Sequence, residues 1–169
     1  MARFTREMLE FVALGEADVA AIRRSAPAVL SQSERITTAL YDHFLTFPRS
    51  ARFFLREDLG VDRDRLERRK HSLGRWLRES AEAAMTEEFS YYLLSVGIAH
   101  SHRAHGPGGT IPAHLMIGAM SLAQSTLAAI FDAELDREAA FAAGVAWNKL
   151  LLVHLSVMML SHLPPRPLP

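Results

Sequence analysis

Residues 87–103 read EEFSYYLLSVGIAHSHR, and the spacing of their apolar members decides the fold. Phe89, Leu93, Val96 and His100 recur at the three- and four-residue steps that put side chains on one face of an α-helix. Thr86 stands in front as a candidate N-cap. Glu87 and Glu88 fill the first turn, where negative charge meets the positive end of the helix dipole. The pattern predicts a helix over 87–103, broken by HGPGG, with the ring of His100 aimed into an apolar interior.

Helical spacing continues outward from this segment in both directions, and no alternating stretch reads as a strand. Upstream, residues 4–13 form a short first helix, and Val19, Ile22, Ala26 and Val29 make the stripe of a second. Ser31 and Glu34 have the spacing of a capping box. They open a helix with Ile36, Leu40, Phe44 and Phe47 on one face, which Pro48 ends. Residues 49–56 read as a helical turn, 57–64 as a loop, and 63–82 as a charged helix turning Leu66, Leu73 and Leu77 inward.

Downstream, 111–131 is apolar almost all round, as is usual for a helix covered from several sides. Pro112 suits its first turn. A last helix over 135–162 repeats Phe141, Val145, Leu152, Leu155 and Met159. The expectation is an all-α fold of seven or eight helices around one core: one domain over 1–163, and a proline-rich tail over 164–169 that frays.

Composition narrows the function. The chain has 169 residues, 49% hydrophobic and 22% charged, with 19 basic against 19 acidic residues. That balance offers no electrostatic footprint for nucleic acid or an anionic membrane. No cysteine is present, which removes disulfides, thiolate zinc sites, iron–sulfur clusters and thiol catalysis. The N-terminus has no signal-peptide pattern, and the run Leu150 to Leu160 is short for a bilayer span. The expectation is therefore a soluble, cytoplasmic domain. No nucleotide-binding or nucleophile-elbow motif occurs.

Two side chains stand out as chemistry. His100 is either a core histidine with one satisfied nitrogen or a metal ligand. In the second case a neutral imidazole offers one nitrogen to the metal while the other donates to a backbone carbonyl. Haem iron needs one such ligand and an apolar slot. Tyr41, beside the stripe Ile36, Leu40 and Phe44, is either a tyrosine at the core edge or a hydroxyl donor aimed into a cavity. A zinc or nickel cluster built from His100, His102, His105 and His114 is disfavoured, because positions 100 and 102 point nearly opposite ways on a helix. Trp76 and Trp147 read as core, and His154 and His162 as structural or exposed.

The order of these residues resembles the sensor-globin superfamily, that is, protoglobins and the globin domains of globin-coupled sensors. ALYDHF, LGRW, the eleven-residue step from Phe89 to His100, IPAHLMIGAM and the run from Trp147-x-Lys149 to Ser161-His162 carry the resemblance. It implies a globin-like helical sandwich with an extra N-terminal helix, holding haem b, with His100 as the proximal ligand to iron and Tyr41 as the distal tyrosine donating to the bound gas. It also implies Arg69, Ser72 and Leu73 on the distal face and Trp76 as the Gly-x-Trp residue. Val96 and Ala119 complete the expected pocket, which Gly118 and Ala119 would widen.

The function so implied is reversible binding of O2, CO and NO, in gas sensing or storage rather than as an enzyme. The alternatives are a haem-free globin-fold signalling adaptor, or a haem enzyme such as an NO dioxygenase or peroxidase. The resemblance further implies a homodimer through the last two helices. With no output segment before Pro169, it points to a separate signalling partner.

Overall fold

The computed structural model describes residues 1–83, 85–101 and 109–163. Among these the chain forms eight α-helices: α1 (Ala2–Phe11), α2 (Glu16–Ser31), α3 (Ser33–Thr46), α4 (Pro48–Ala51), α5 (Arg63–Ala81), α6 (Glu87–His100), α7 (Ala113–Glu134) and α8 (Arg137–Met159). Two 3₁₀ turns, Arg52–Phe54 and Leu160–His162, follow α4 and α8. The loop before α5 is pinched by an antiparallel bridge between Leu55 and Val61. The expected all-α fold is what forms.

Side-chain caps set several helix starts by satisfying orphan amides. Asp62 accepts from the Arg65 amide at 2.9 Å, Thr86 from Phe89 at 3.1 Å, and Asp136 from Ala139 at 2.9 Å. The capping box expected at Ser31 does not form. Ser31 is still the last helical residue of α2, and its hydroxyl donates back to the Ala28 carbonyl at 3.0 Å. A single residue, Gln32, separates α2 from α3 and serves as the N-cap without a side-chain bond. The reciprocal bond appears instead at Gly15, whose amide donates to Asp18 at 2.9 Å.

Helix α6 ends at His100, with Ser101 extended, earlier than the expected 103. Residues 102–103, His102, His105, most of HGPGG and the tail 164–169 lie outside the described residues.

Helix α8 is the central post, packed against α7, α2, α6 and α1. Its inward face presents Trp147, Leu150, Leu151, His154 and Met158. Trp147 donates its indole N–H to the Ser25 hydroxyl of α2 at 2.9 Å and packs against Phe131 of α7. Lys149 ties the start of α2 to the same post through Asp18 and the Ala13 carbonyl, both at 2.9 Å. The repeat Phe141, Val145, Leu152 turns out to mark the outer face, and Phe141 is 75% exposed. Because α8 is apolar on several sides, periodicity alone did not select which stripe faces in.

By length and composition, Ala113–Glu134 and Arg137–His162 are each long and apolar enough to cross a membrane, though 56% of the second window is buried within the fold. The first has only 28% of its window covered.

Helices α6 and α8 meet at backbone contact. A Cβ on Gly97 would fall on the Met158 carbonyl oxygen and within 2.8 Å of the Met158 Cα. Only glycine permits that approach, and it sits one turn before His100.

Candidate functional site

Helices α3, α5, α6, α7 and α8 surround a cavity of about 300 Å³ with a largely apolar wall. A second cavity of about 150 Å³ adjoins it toward Phe53, Phe54, Ile111 and Leu115. Tyr41, Phe44, Arg69, Ala99, His100, Met116 and Ala119 line both. The larger is at the lower end of the size range of small-molecule sites, and the pair together extend it.

The structure places all eight sequence-marked residues on the wall of the larger cavity: Tyr41 from α3, Arg69, Ser72, Leu73 and Trp76 from α5, Val96 and His100 from α6, and Ala119 from α7. Gly118 does not join them. It points toward open space, so of the two small residues only Ala119 widens the cavity.

Sequence reading missed Tyr92, Ala99, Met120, Leu155 and Met158. Tyr92 was legible, since it lies one turn before Val96 and two before His100. The contributions of Leu155 and Met158 depend on the rotation of α8, which its all-round apolarity conceals.

His100 is held by a hydrogen bond between its Nδ1 and the Val96 carbonyl, 2.6 Å apart. A carbonyl can only accept, so Nδ1 carries the proton and Nε2 is left as the bare nitrogen. Nε2 has no hydrogen-bond partner among the described residues. Burial lowers the pKa of the ring, the Val96 bond opposes that, and the nearby Arg69 guanidinium lowers it further. A neutral imidazole with Nε2 free is the form that ligates a metal.

Tyr41 is buried between Phe44 and Phe54, with edge-on ring contacts of 5.6 and 5.5 Å. Its hydroxyl has no hydrogen-bond partner among the described residues. Burial pushes its pKa far up, with Arg69 opposing, so it stays a protonated donor. Arg69 is the only permanently charged side chain on the larger cavity's wall, and no ion pair engages it among the described residues. An unpaired guanidinium beside an apolar cavity suits a ligand with carboxylate groups. Ser72, Ser95 and Ala99 are exposed and mark the mouth between α5 and α6.

Behind the cavity, Trp76 packs edge-on against His154 at 6.0 Å. The Trp76 indole N–H and His154 Nδ1 are both buried without hydrogen-bond partners. Among the described residues no group of three or more histidine or acidic side chains could hold a metal ion, and His102 and His105 lie outside those residues. His114 is exposed. One histidine facing an apolar slot, a free hydroxyl and a free guanidinium is a donor set that fits haem, which needs a single protein ligand.

Helices packed around one pocket, with a histidine late in α6 and a tyrosine on α3, define a globin fold. Comparison with solved structures agrees. The globin domain of the Geobacter sulfurreducens globin-coupled sensor superposes with a TM-score of 0.76, over 92% of this chain and 95% of that one, at 22% identity. The family model for Protoglobin matches residues 2–163, and the chain belongs to that family. No curated protein matches by sequence.

Proposed function

We propose that this protoglobin seats haem b in the cavity, with His100 Nε2 as the axial ligand, and binds diatomic gases reversibly. The observation that carries the reading is the 2.6 Å approach of His100 Nδ1 to the Val96 carbonyl. Its Nδ1 is spent on the Val96 carbonyl, and the free Nε2 belongs to a ring lining an apolar cavity shared with Tyr41. When bound, the haem supplies an iron that takes O2, CO or NO.

The side chains do the rest. Burial keeps the imidazole neutral and its lone pair available at neutral pH. Tyr41 supplies a hydroxyl donor that favours a ligand gaining negative charge, as O2 does more than CO. Arg69, the guanidinium on the cavity wall, would pair with a carboxylate of the haem. Phe44, Leu73, Met116, Met120 and Leu155 exclude water from the slot. Sensing or storage is the role proposed for this set.

The outer faces of α7 and α8 support the proposal of a homodimer through the last two helices. Ile117, Phe141, Val145 and Leu152 are exposed there, and Gly118 and Gly144 have open space beyond their Cα atoms. Apolar surface of this kind usually marks an interface. Signalling would then pass through a separate partner.

Absorption spectroscopy during titration with haem tests the central point. One sharp Soret band, saturating at one haem per chain and moving on reduction and again with CO, is the expected result. No stoichiometric band would overturn the haem reading in favour of a haem-free adaptor.

A further inference from the structure

The geometry points to His162 as a positioning residue for His100, an inference that rests on the reading of His100 as the axial ligand. The last carbonyls of a helix need partners from outside it. At the end of α6 the His100 carbonyl accepts from the amide of Ile111, a residue just before α7, at 2.8 Å. The Ile111 carbonyl in turn lies 3.2 Å from His162 Nε2 in the closing 3₁₀ turn. Only an Nε2–H can serve a carbonyl, so His162 is the donor, and the backbone joins it directly to Ser161. Ser161 donates to the Met158 carbonyl at 2.7 Å. Met158 is the residue whose backbone abuts Gly97, one turn before His100.

These contacts close a ring: His100, Ile111, His162, Ser161, Met158, Gly97 and back along α6 to His100. The Val96 carbonyl that orients the His100 ring lies inside the same turn. The position of the free Nε2 is thereby set against α8 rather than by α6 alone. Breaking the His162–Ile111 link by substituting His162 opens the ring without replacing any residue that lines the larger cavity. The Ser161-His162 ending of the sequence thus acquires a role in the site.

The test uses two variants of different reach. His162→Asn keeps a polar group near Ser161 but is too short for Ile111, whereas His162→Gln can still donate to the Ile111 carbonyl. Amide hydrogen exchange at Ile111 is measured on the haem-free chain, and the iron–histidine stretching band on the ferrous, haem-loaded chain. In His162→Asn, Ile111 exchange should quicken by roughly three- to tenfold, the scale of one lost neutral hydrogen bond, and the band should shift or broaden. His162→Gln should restore both to wild type.

Wild-type exchange and an unmoved band in His162→Asn would overturn the proposal. So would a His162→Gln protein as perturbed as His162→Asn. Absence of any iron–histidine band in the wild type would overturn the reading of the site and this proposal with it. An unchanged exchange rate beside a normal wild-type band overturns the tie alone.

Discussion

Replacing His154 by leucine tests whether burial alone makes the fold sensitive to acid. His154 is fully buried, edge-on to Phe89 at 5.2 Å and Trp76 at 6.0 Å, and its Nδ1 has no hydrogen-bond partner. Its Nε2 faces only the Met85 sulfur, at 3.2 Å. Burial takes its pKa down to about 3, whereas a histidine of the unfolded chain titrates at about 6.5.

The folded value is the depressed one. The unfolded chain therefore gains a proton below about pH 6.5 that the native ring refuses, and stability falls as pH drops from there toward the native value. The proton-linked loss from this residue reaches about 2 kcal/mol at pH 5. Leucine is similar in volume and leaves no unpaired nitrogen, so at pH 7 the variant should stay within about 1.5 kcal/mol of wild type.

Urea unfolding of both proteins at pH 7 and pH 5 isolates the effect, because every other titrating group cancels in the comparison. Wild type should lose about 2 kcal/mol more than His154→Leu between the two pH values, at equal m. Equal losses would refute the argument and mean that the ring is protonated, or hydrated, in the native state.

Three other outcomes follow from the same geometry. Tyr41→Phe should raise the O2 dissociation rate about tenfold by flash photolysis or stopped flow, the kinetic equivalent of about 1.4 kcal/mol; an unchanged rate would remove Tyr41 from contact with the gas. Gly97→Ala should destabilise the fold by about 1–3 kcal/mol in urea unfolding, because its Cβ has to displace the Met158 backbone; full stability would show that α6 and α8 can part freely. Phe141→Glu should shift sedimentation from dimer to monomer; a wild-type monomer at micromolar concentration would refute the proposed interface.

The sequence disclosed the site more readily than the packing around it. His100 and Tyr41 were legible because the apolar stripes beside them have helical period, and a polar ring on such a stripe has nowhere to go but inward. The four α5 residues came from the resemblance to sensor globins, because the helix's own stripe of Leu66, Leu73 and Leu77 marks its buried side and not a pocket. Gly97 carried an unused signal, since a glycine inside a helix costs about 1 kcal/mol relative to alanine and implies close approach. Other features were hidden for definite reasons. Whether Ser31 opens α3 or closes α2 depends on one residue's backbone angles, which both readings satisfy locally. Which stripe of α8 faces inward depends on its neighbours, and so did the full burial of His154 and the exposure of Phe141. The tie from His162 through Ile111 to His100 joins residues far apart in sequence, and no local pattern announces it.

The most direct test of the central claim is the absorption spectrum of His100→Gly loaded with ferrous haem, recorded before and after adding free imidazole. The account predicts that the variant lacks the wild-type five-coordinate band and that imidazole, entering the space left by the side chain, restores it together with CO binding. A His100→Gly protein whose haem spectrum matches wild type without imidazole would contradict the assignment of His100 as the ligand.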